Sequence, residues 1–155
     1  MDKTNLADII DKAIQREIEA HEFYMKLCGI VEDKNAKDTL AFLAAEEKKH
    51  REFLEKYRGG KIKGNSLRMK ETVDYKIAEF IDAPDIKKNM NTAEVYLVAA
   101  HREENSYNFY RGLAGAQPDG EVKSMLMKMA NEERGHKEKV EYLYANSAYP
   151  QTEGG

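Results

Sequence analysis

An all-α fold, an antiparallel four-helix bundle with one long crossover between its second and third helices, is predicted by three features of the sequence. Four segments repeat apolar residues at the helical period. Only 3 Pro and 10 Gly interrupt 155 residues that are 41% hydrophobic and 34% charged, the balance of a folded, helix-rich chain. The second half also repeats the first: at a shift of 86 residues, 16 of the 45 positions from 13 to 57 are identical. Such a repeat means that two similar hairpins pack as a pseudo-symmetric pair.

The elements follow in order. Leu6, Ile10, Ala13, Ile14, Glu17, Ala20 and Tyr24 fall on one face of a first helix, expected from about Thr4 to Gly29. Ala36, Leu40, Leu43, Glu47, His50 and Leu54 line a second, which Gly59-Gly60 stops. These two form a hairpin over residues 4–59. Residues 60–89 form the crossover, with a shorter helix expected from Glu71 to Ile81 and ended by Pro84. A second hairpin occupies residues 90–147. Its first helix carries Tyr96, Ala99, Ala100, Glu103, Ser106, Tyr110 and Leu113, and its second carries Leu126, Met129, Glu133, His136, Val140 and Leu143, with Pro118-Asp119-Gly120 as the turn between them. One domain is expected over residues 1–149, followed by a disordered tail at 150–155. Helices of this length cannot bury their stripes alone, and a bundle is the economical solution.

Composition removes several functions. A net charge of -3 offers nucleic acid no basic footprint. The absence of an 18-residue apolar run or an apolar leader argues against membrane insertion and secretion, so a cytoplasmic protein is expected. A single cysteine, Cys28, permits neither an intramolecular disulfide nor a four-cysteine metal site within these residues.

The informative residues are carboxylates in the wrong place. Glu17, Glu47, Glu103 and Glu133 lie in the middle of apolar stripes, one per helix, where an unpaired charge is costly. His50 and His136 follow Glu47 and Glu133 by three residues, which puts each pair on one helix face. All six positions are preserved by the repeat. One Glu from each of two helices and Glu-x-x-His from each of the other two is the recurring recipe for a paired iron or manganese site in a bundle. Oxygen and imidazole donors suit those metals, and four carboxylates balance two divalent cations. Tyr24 and Tyr110 return to the core face seven residues after Glu17 and Glu103, either as plain core packing or to hydrogen-bond a ligating carboxylate. Glu22, Glu46, Glu52, Glu104 and Glu132 are read as surface residues, as is His101. His21 is read as a partly buried polar side chain, Cys28 as packing, and Met129 with Met125 as core.

The two motifs, Ala13-x-x-x-Glu17-x-x-Ala20-x-x-Phe23-Tyr24 with Glu47-x-x-His50 and Ala99-x-x-x-Glu103-x-x-Ser106-x-x-Phe109-Tyr110 with Glu133-x-x-His136, resemble the ferritin-like superfamily and, within it, the rubrerythrin-like di-iron proteins. The resemblance implies that Glu47 and Glu133 bridge two irons, that Glu17 and Glu103 are terminal ligands, and that His50 and His136 bind one iron each. It further implies reduction of hydrogen peroxide, or of dioxygen, with electrons from an external donor such as a rubredoxin-type protein, and a homodimer. Iron storage or homeostasis through oxidation of ferrous ion is the alternative. Two features depart from the family pattern: the four-cysteine rubredoxin domain is missing from this sequence, and Ser106 stands where rubrerythrins carry an additional carboxylate.

Overall fold

A computed structural model describes the backbone of residues 3–148 and the side chains of residues 6–147. The expected tail at 150–155 lies outside the described residues. Five α-helices follow in order: α1 Lys3–Ile30, α2 Lys34–Arg58, α3 Ile77–Phe80, α4 Thr92–Gly115 and α5 Glu121–Ala148, with a 3-10 turn at Gly64–Ser66. Their ends are set locally. Asp33 accepts a hydrogen bond from the Ala36 amide at 2.8 Å and starts α2, whereas Asn91 and Glu94 form a reciprocal capping box at the start of α4. Beyond α2 the chain turns away through Gly60, whose φ of 74° suits a residue without Cβ.

The core is layered along the bundle axis. One apolar layer joins Leu27 of α1 and Leu40 and Leu43 of α2 to Val95 and Val98 of α4 and Val140 of α5. Another joins Ile10, Leu54, Ala114 and Leu126 with Met125 and Met129. Between them, at the same level on all four long helices, lie the buried polar residues Glu17, Glu47, His50, Glu103, Ser106, Glu133 and His136. The order in which each helix passes these layers gives the topology. α1 runs from the second layer to the first, α2 and α4 run the opposite way, and α5 returns. Each hairpin is therefore antiparallel, and α2 and α4 are parallel, so the link between them must travel the length of the bundle, as the repeat and stripes predict.

That link departs from expectation in one respect. The helix expected over Glu71–Ile81 is reduced to the single turn α3, with extended chain before it. Side chains of α5 pair with several backbone groups along this stretch. Asn131 pairs with both the amide and the carbonyl of Lys70, Glu138 accepts from the Val73 amide, and Glu141 accepts from the Ala78 amide at 2.8 Å. At Gly64 the link comes so close to α5 that an added Cβ would stand 3.0 Å from Met125 Cβ. Ile77 and Ile81 pack on Tyr96, Leu97, Leu143 and Tyr144 in a satellite cluster. No helix among the described residues is long and apolar enough to cross a membrane.

Lys137 holds the crossover. Only 1% exposed, its ammonium meets Asp74 at 2.5 Å, Glu79 at 2.7 Å, Glu141 at 3.2 Å and Glu104 at 3.4 Å. Burial alone would lower its pKa, but hydrogen bonds to Asp74, Glu79 and Glu141 raise it well above 10.5, so it stays charged. Replacing Lys137 with Met leaves this acidic cluster without its cation. A loss of about 3–5 kcal/mol is expected for breaking a buried ion pair. Thermal melting checks the loss, and faster hydrogen exchange at the Val73 and Ala78 amides checks its location.

Candidate metal centre

The middle layer gathers all six residues singled out by the sequence. Ligand atoms of Glu17, Glu47, His50 and Glu133 lie within 4.8 Å of one another, and so do those of Glu47, Glu103, Glu133 and His136. Glu47 and Glu133 belong to both groups, and each group adds one further Glu and one His. The two imidazoles stack side by side, with ring centroids 5.4 Å apart and planes 12° from parallel. His50 Nδ1 lies 3.0 Å from Glu133 and 3.7 Å from Glu17, whereas His136 Nδ1 lies 3.2 Å from Glu47 and 3.5 Å from Glu103.

Two tyrosines cross from one hairpin to the other. Tyr110 donates its hydroxyl to Glu17 at 2.5 Å, and Tyr24 donates to Glu103 at 2.8 Å. Each ring is steadied by the phenylalanine before it, at 5.2 Å for Phe109–Tyr110 and 5.6 Å for Phe23–Tyr24. An arginine from the opposite hairpin lies over each phenylalanine, Arg16 over Phe109 and Arg102 over Phe23. The arginines stand at equivalent repeat positions, and that identity was the signal available in the sequence for a pair the stripes overlook.

Charge in this layer is strongly perturbed. Burial, reinforced by Glu17 and Glu103, pushes the Glu47 carboxyl well above the usual carboxylate range, and burial with the same neighbours and Glu47 does so for Glu133. Burial also acts upward on Glu17 and Glu103, but the histidines outweigh it and both carboxyls sit low. The histidines are raised, since Glu17 beside His50 and Glu103 beside His136 more than offset burial. Burial and the adjacent carboxylates hold the Tyr24 and Tyr110 hydroxyls protonated.

The donors fit a pair of cations. Oε2 of Glu17, Glu103 and Glu133, Oε1 of Glu47 and Nδ1 of His136 are buried without a hydrogen-bond partner. Even the 3.2 Å approach of His136 to Glu47 is not aligned as a hydrogen bond. Orphaned acceptors at this density are expensive in a dry core, and cations placed among them would supply the missing partners.

Residues outside the layer fall elsewhere. His21 Nδ1 is 2.8 Å from the Ala44 carbonyl, away from the centre. His101, expected on the surface, is half-buried with Nε2 2.7 Å from the Ile81 carbonyl, because α3 packs over it. Glu22 and Glu52 are exposed as expected, whereas Glu46, Glu104 and Glu132 are half-buried. Glu104 is drawn to Lys137, and Glu46 and Glu132 line a cleft. Cys28 packs against the first apolar layer, and Met125 and Met129 are buried. Lys137 and Glu141, both buried, escaped the sequence reading, although their spacing of four and eight residues after Glu133 keeps them on its face.

Fold and site together define a ferritin-like bundle carrying a Glu/His cluster of the di-iron carboxylate kind. A sequence model of the rubrerythrin family matches residues 8–144, and the chain belongs to that family. Its structure is similar to that of a hypothetical protein from Pyrococcus furiosus, with a TM-score of 0.59 and 24% identity over 98% of this chain and 99% of that one; at this identity the likeness shows the fold. Among curated proteins none matches the sequence.

Two predictions follow from the geometry. Replacing Tyr110 with Phe removes the donor to Glu17 and is expected to weaken divalent-metal binding about 10- to 100-fold, measured by equilibrium competition with a chelator. The second concerns pH. Glu47, Glu133, His50 and His136 have raised folded-state pKa values, so the folded chain keeps protons that the unfolded chain releases. Their stabilising contribution is complete below the unfolded values and is lost as pH rises through the folded ones. The lowered Glu17 and Glu103 act oppositely, but only at acid pH. The metal-free protein is therefore expected to melt at falling temperature as pH rises above 6.5, and saturating divalent metal should reverse the trend in parallel melts.

Proposed function

We propose that the chain is a non-haem di-iron oxidoreductase that reduces hydrogen peroxide, or dioxygen, with electrons supplied from outside these 155 residues by a rubredoxin-type donor. The observation that carries this reading is the sharing of Glu47 and Glu133 between two otherwise separate ligand groups. In this reading Glu47 and Glu133 would help to hold both ions. Glu17 with His50 completes one position and Glu103 with His136 the other. Manganese fits the same donors. Iron bound by these residues would supply the two electrons that cleavage of an oxygen–oxygen bond requires.

The chain's own residues fix the setting. Tyr110 and Tyr24 orient the terminal carboxylates through hydrogen bonds, and their protonated hydroxyls prevent a further negative charge from entering the layer. The apolar layers on either side exclude bulk water. Iron handling, with ferrous ion as substrate, is the second reading. It is favoured by Ser106, buried at the level of the centre where the resemblance leads one to expect a carboxylate.

The deciding experiment mixes protein, loaded anaerobically with two equivalents of ferrous ion, with hydrogen peroxide or air-saturated buffer in a stopped-flow instrument. Faster oxidation by peroxide, reset by a reductant and repeated over many turnovers, is expected. Oxidation by dioxygen followed by uptake of further iron would replace the peroxidase reading with iron handling. Failure to bind two equivalents would overturn both.

A further inference from the structure

The middle layer is not equally covered on all sides. Its four glutamates are at most 1% exposed, whereas His50 is 5% and His136 8% exposed. The cluster thus comes nearest to solvent along its histidine edge. A cleft of about 270 Å³ opens there between α2, α5 and the crossover, lined among others by Phe42, Glu46, Thr72, Glu132, Gly135 and His136.

Its walls are specialised. Gly135 is in the interior of α5, where glycine weakens a helix. A Cβ added there would lie 3.9 Å from Thr72 Cγ2, so a longer side chain would grow into the gap between α5 and the crossover. At the equivalent repeat position the first hairpin carries Lys49. Lys139 is held over the Phe42 ring, 3.8 Å from its centroid, and Glu46 is 3.8 Å from Lys49. Glu132 has no such partner, yet its carboxylate lies within 4.8 Å of ligand atoms of both His50 and His136. His136 itself is more than nine-tenths buried and lines the cleft, while its Nδ1 faces Glu47 and Glu103 of the inner cluster, so the ring stands between the two.

We propose that this cleft is the port through which divalent metal ions reach the buried cluster, and that Glu132 with His136 forms a transit site for them, outside the six resident ligands. The inference rests on the dimetal reading. A half-exposed carboxylate with no lysine or arginine paired to it among the described residues raises the local concentration of cations at the mouth and can replace part of an ion's hydration shell. Both histidines of this outer triad also belong to the inner groups, one to each. An ion moving inward therefore exchanges Glu132 for buried carboxylates while an imidazole remains within reach.

The test follows cobalt(II) binding to the metal-free protein by stopped-flow visible absorbance, with final stoichiometry from equilibrium dialysis. Glu132→Gln is expected to slow loading about tenfold or more at low salt, and Gly135→Leu to slow it by narrowing the cleft. Both should still bind two ions per chain at equilibrium. Glu52→Gln, a change at an exposed site on α2, should load at the wild-type rate. Wild-type loading rates in both Glu132→Gln and Gly135→Leu would overturn the proposal while leaving the dimetal reading intact. Fewer than two ions bound by Glu132→Gln would make Glu132 a resident ligand and overturn it equally. If wild-type protein binds no cobalt, the dimetal reading fails and the port fails with it. Should Gly135→Leu not fold, as circular dichroism would show, the rate of Glu132→Gln decides.

Discussion

Four carboxylates buried at one level of a helix bundle are the constraint around which the rest of this molecule is arranged. Such a layer survives in a core only if its charge is cancelled. In the metal-free chain the shifts run that way: burial and the neighbouring carboxylates push the Glu47 and Glu133 carboxyls up, and Glu17 and Glu103 raise the histidines beside them. Two divalent cations would balance four carboxylates beside two neutral imidazoles. Metal binding at such a layer would exchange protons for cations. Apolar layers above and below provide stability that this polar sheet cannot.

Most of this was legible because the deviations from amphipathic pattern are themselves patterned. A glutamate on an apolar stripe is uninformative once; at Glu17, Glu47, Glu103 and Glu133, with His50 and His136 in register, it specifies a centre. The long helices were equally readable, since their stripes, the Gly59-Gly60 stop and the Pro118–Gly120 turn are local signals. The period alone puts Tyr24 and Tyr110 on the core face, where both are buried and donate to Glu103 and Glu17.

What escaped the sequence depends on pairs far apart in the chain. Residues 71–76 have helix-compatible composition, but Asn131, Glu138 and Glu141 of α5 capture the amides of Lys70, Val73 and Ala78 in and around that stretch. That competition is invisible to a local window. Lys137 looks like an ordinary charged residue until Asp74 and Glu79 arrive from the crossover. His101 was misplaced for the same reason, because the carbonyl it meets belongs to the segment that packs over it. Tertiary capture of the crossover thus accounts for these departures together.

The crossover also ends the equality of the two hairpins. Duplicate motifs supply matching Glu and His side chains, but a single strap packs against α4 and α5 and has no counterpart over the first pair among the described residues. Gly135 faces it where the other half has Lys49. The two ligand-atom groups therefore share Glu47 and Glu133 and differ in address: the one with His136 borders the cleft, and His50 of the other does not line it. A pair of unlike ions, such as one iron and one manganese, could be arranged in this bundle in two distinguishable ways, and the strap, not the ligands, makes them different.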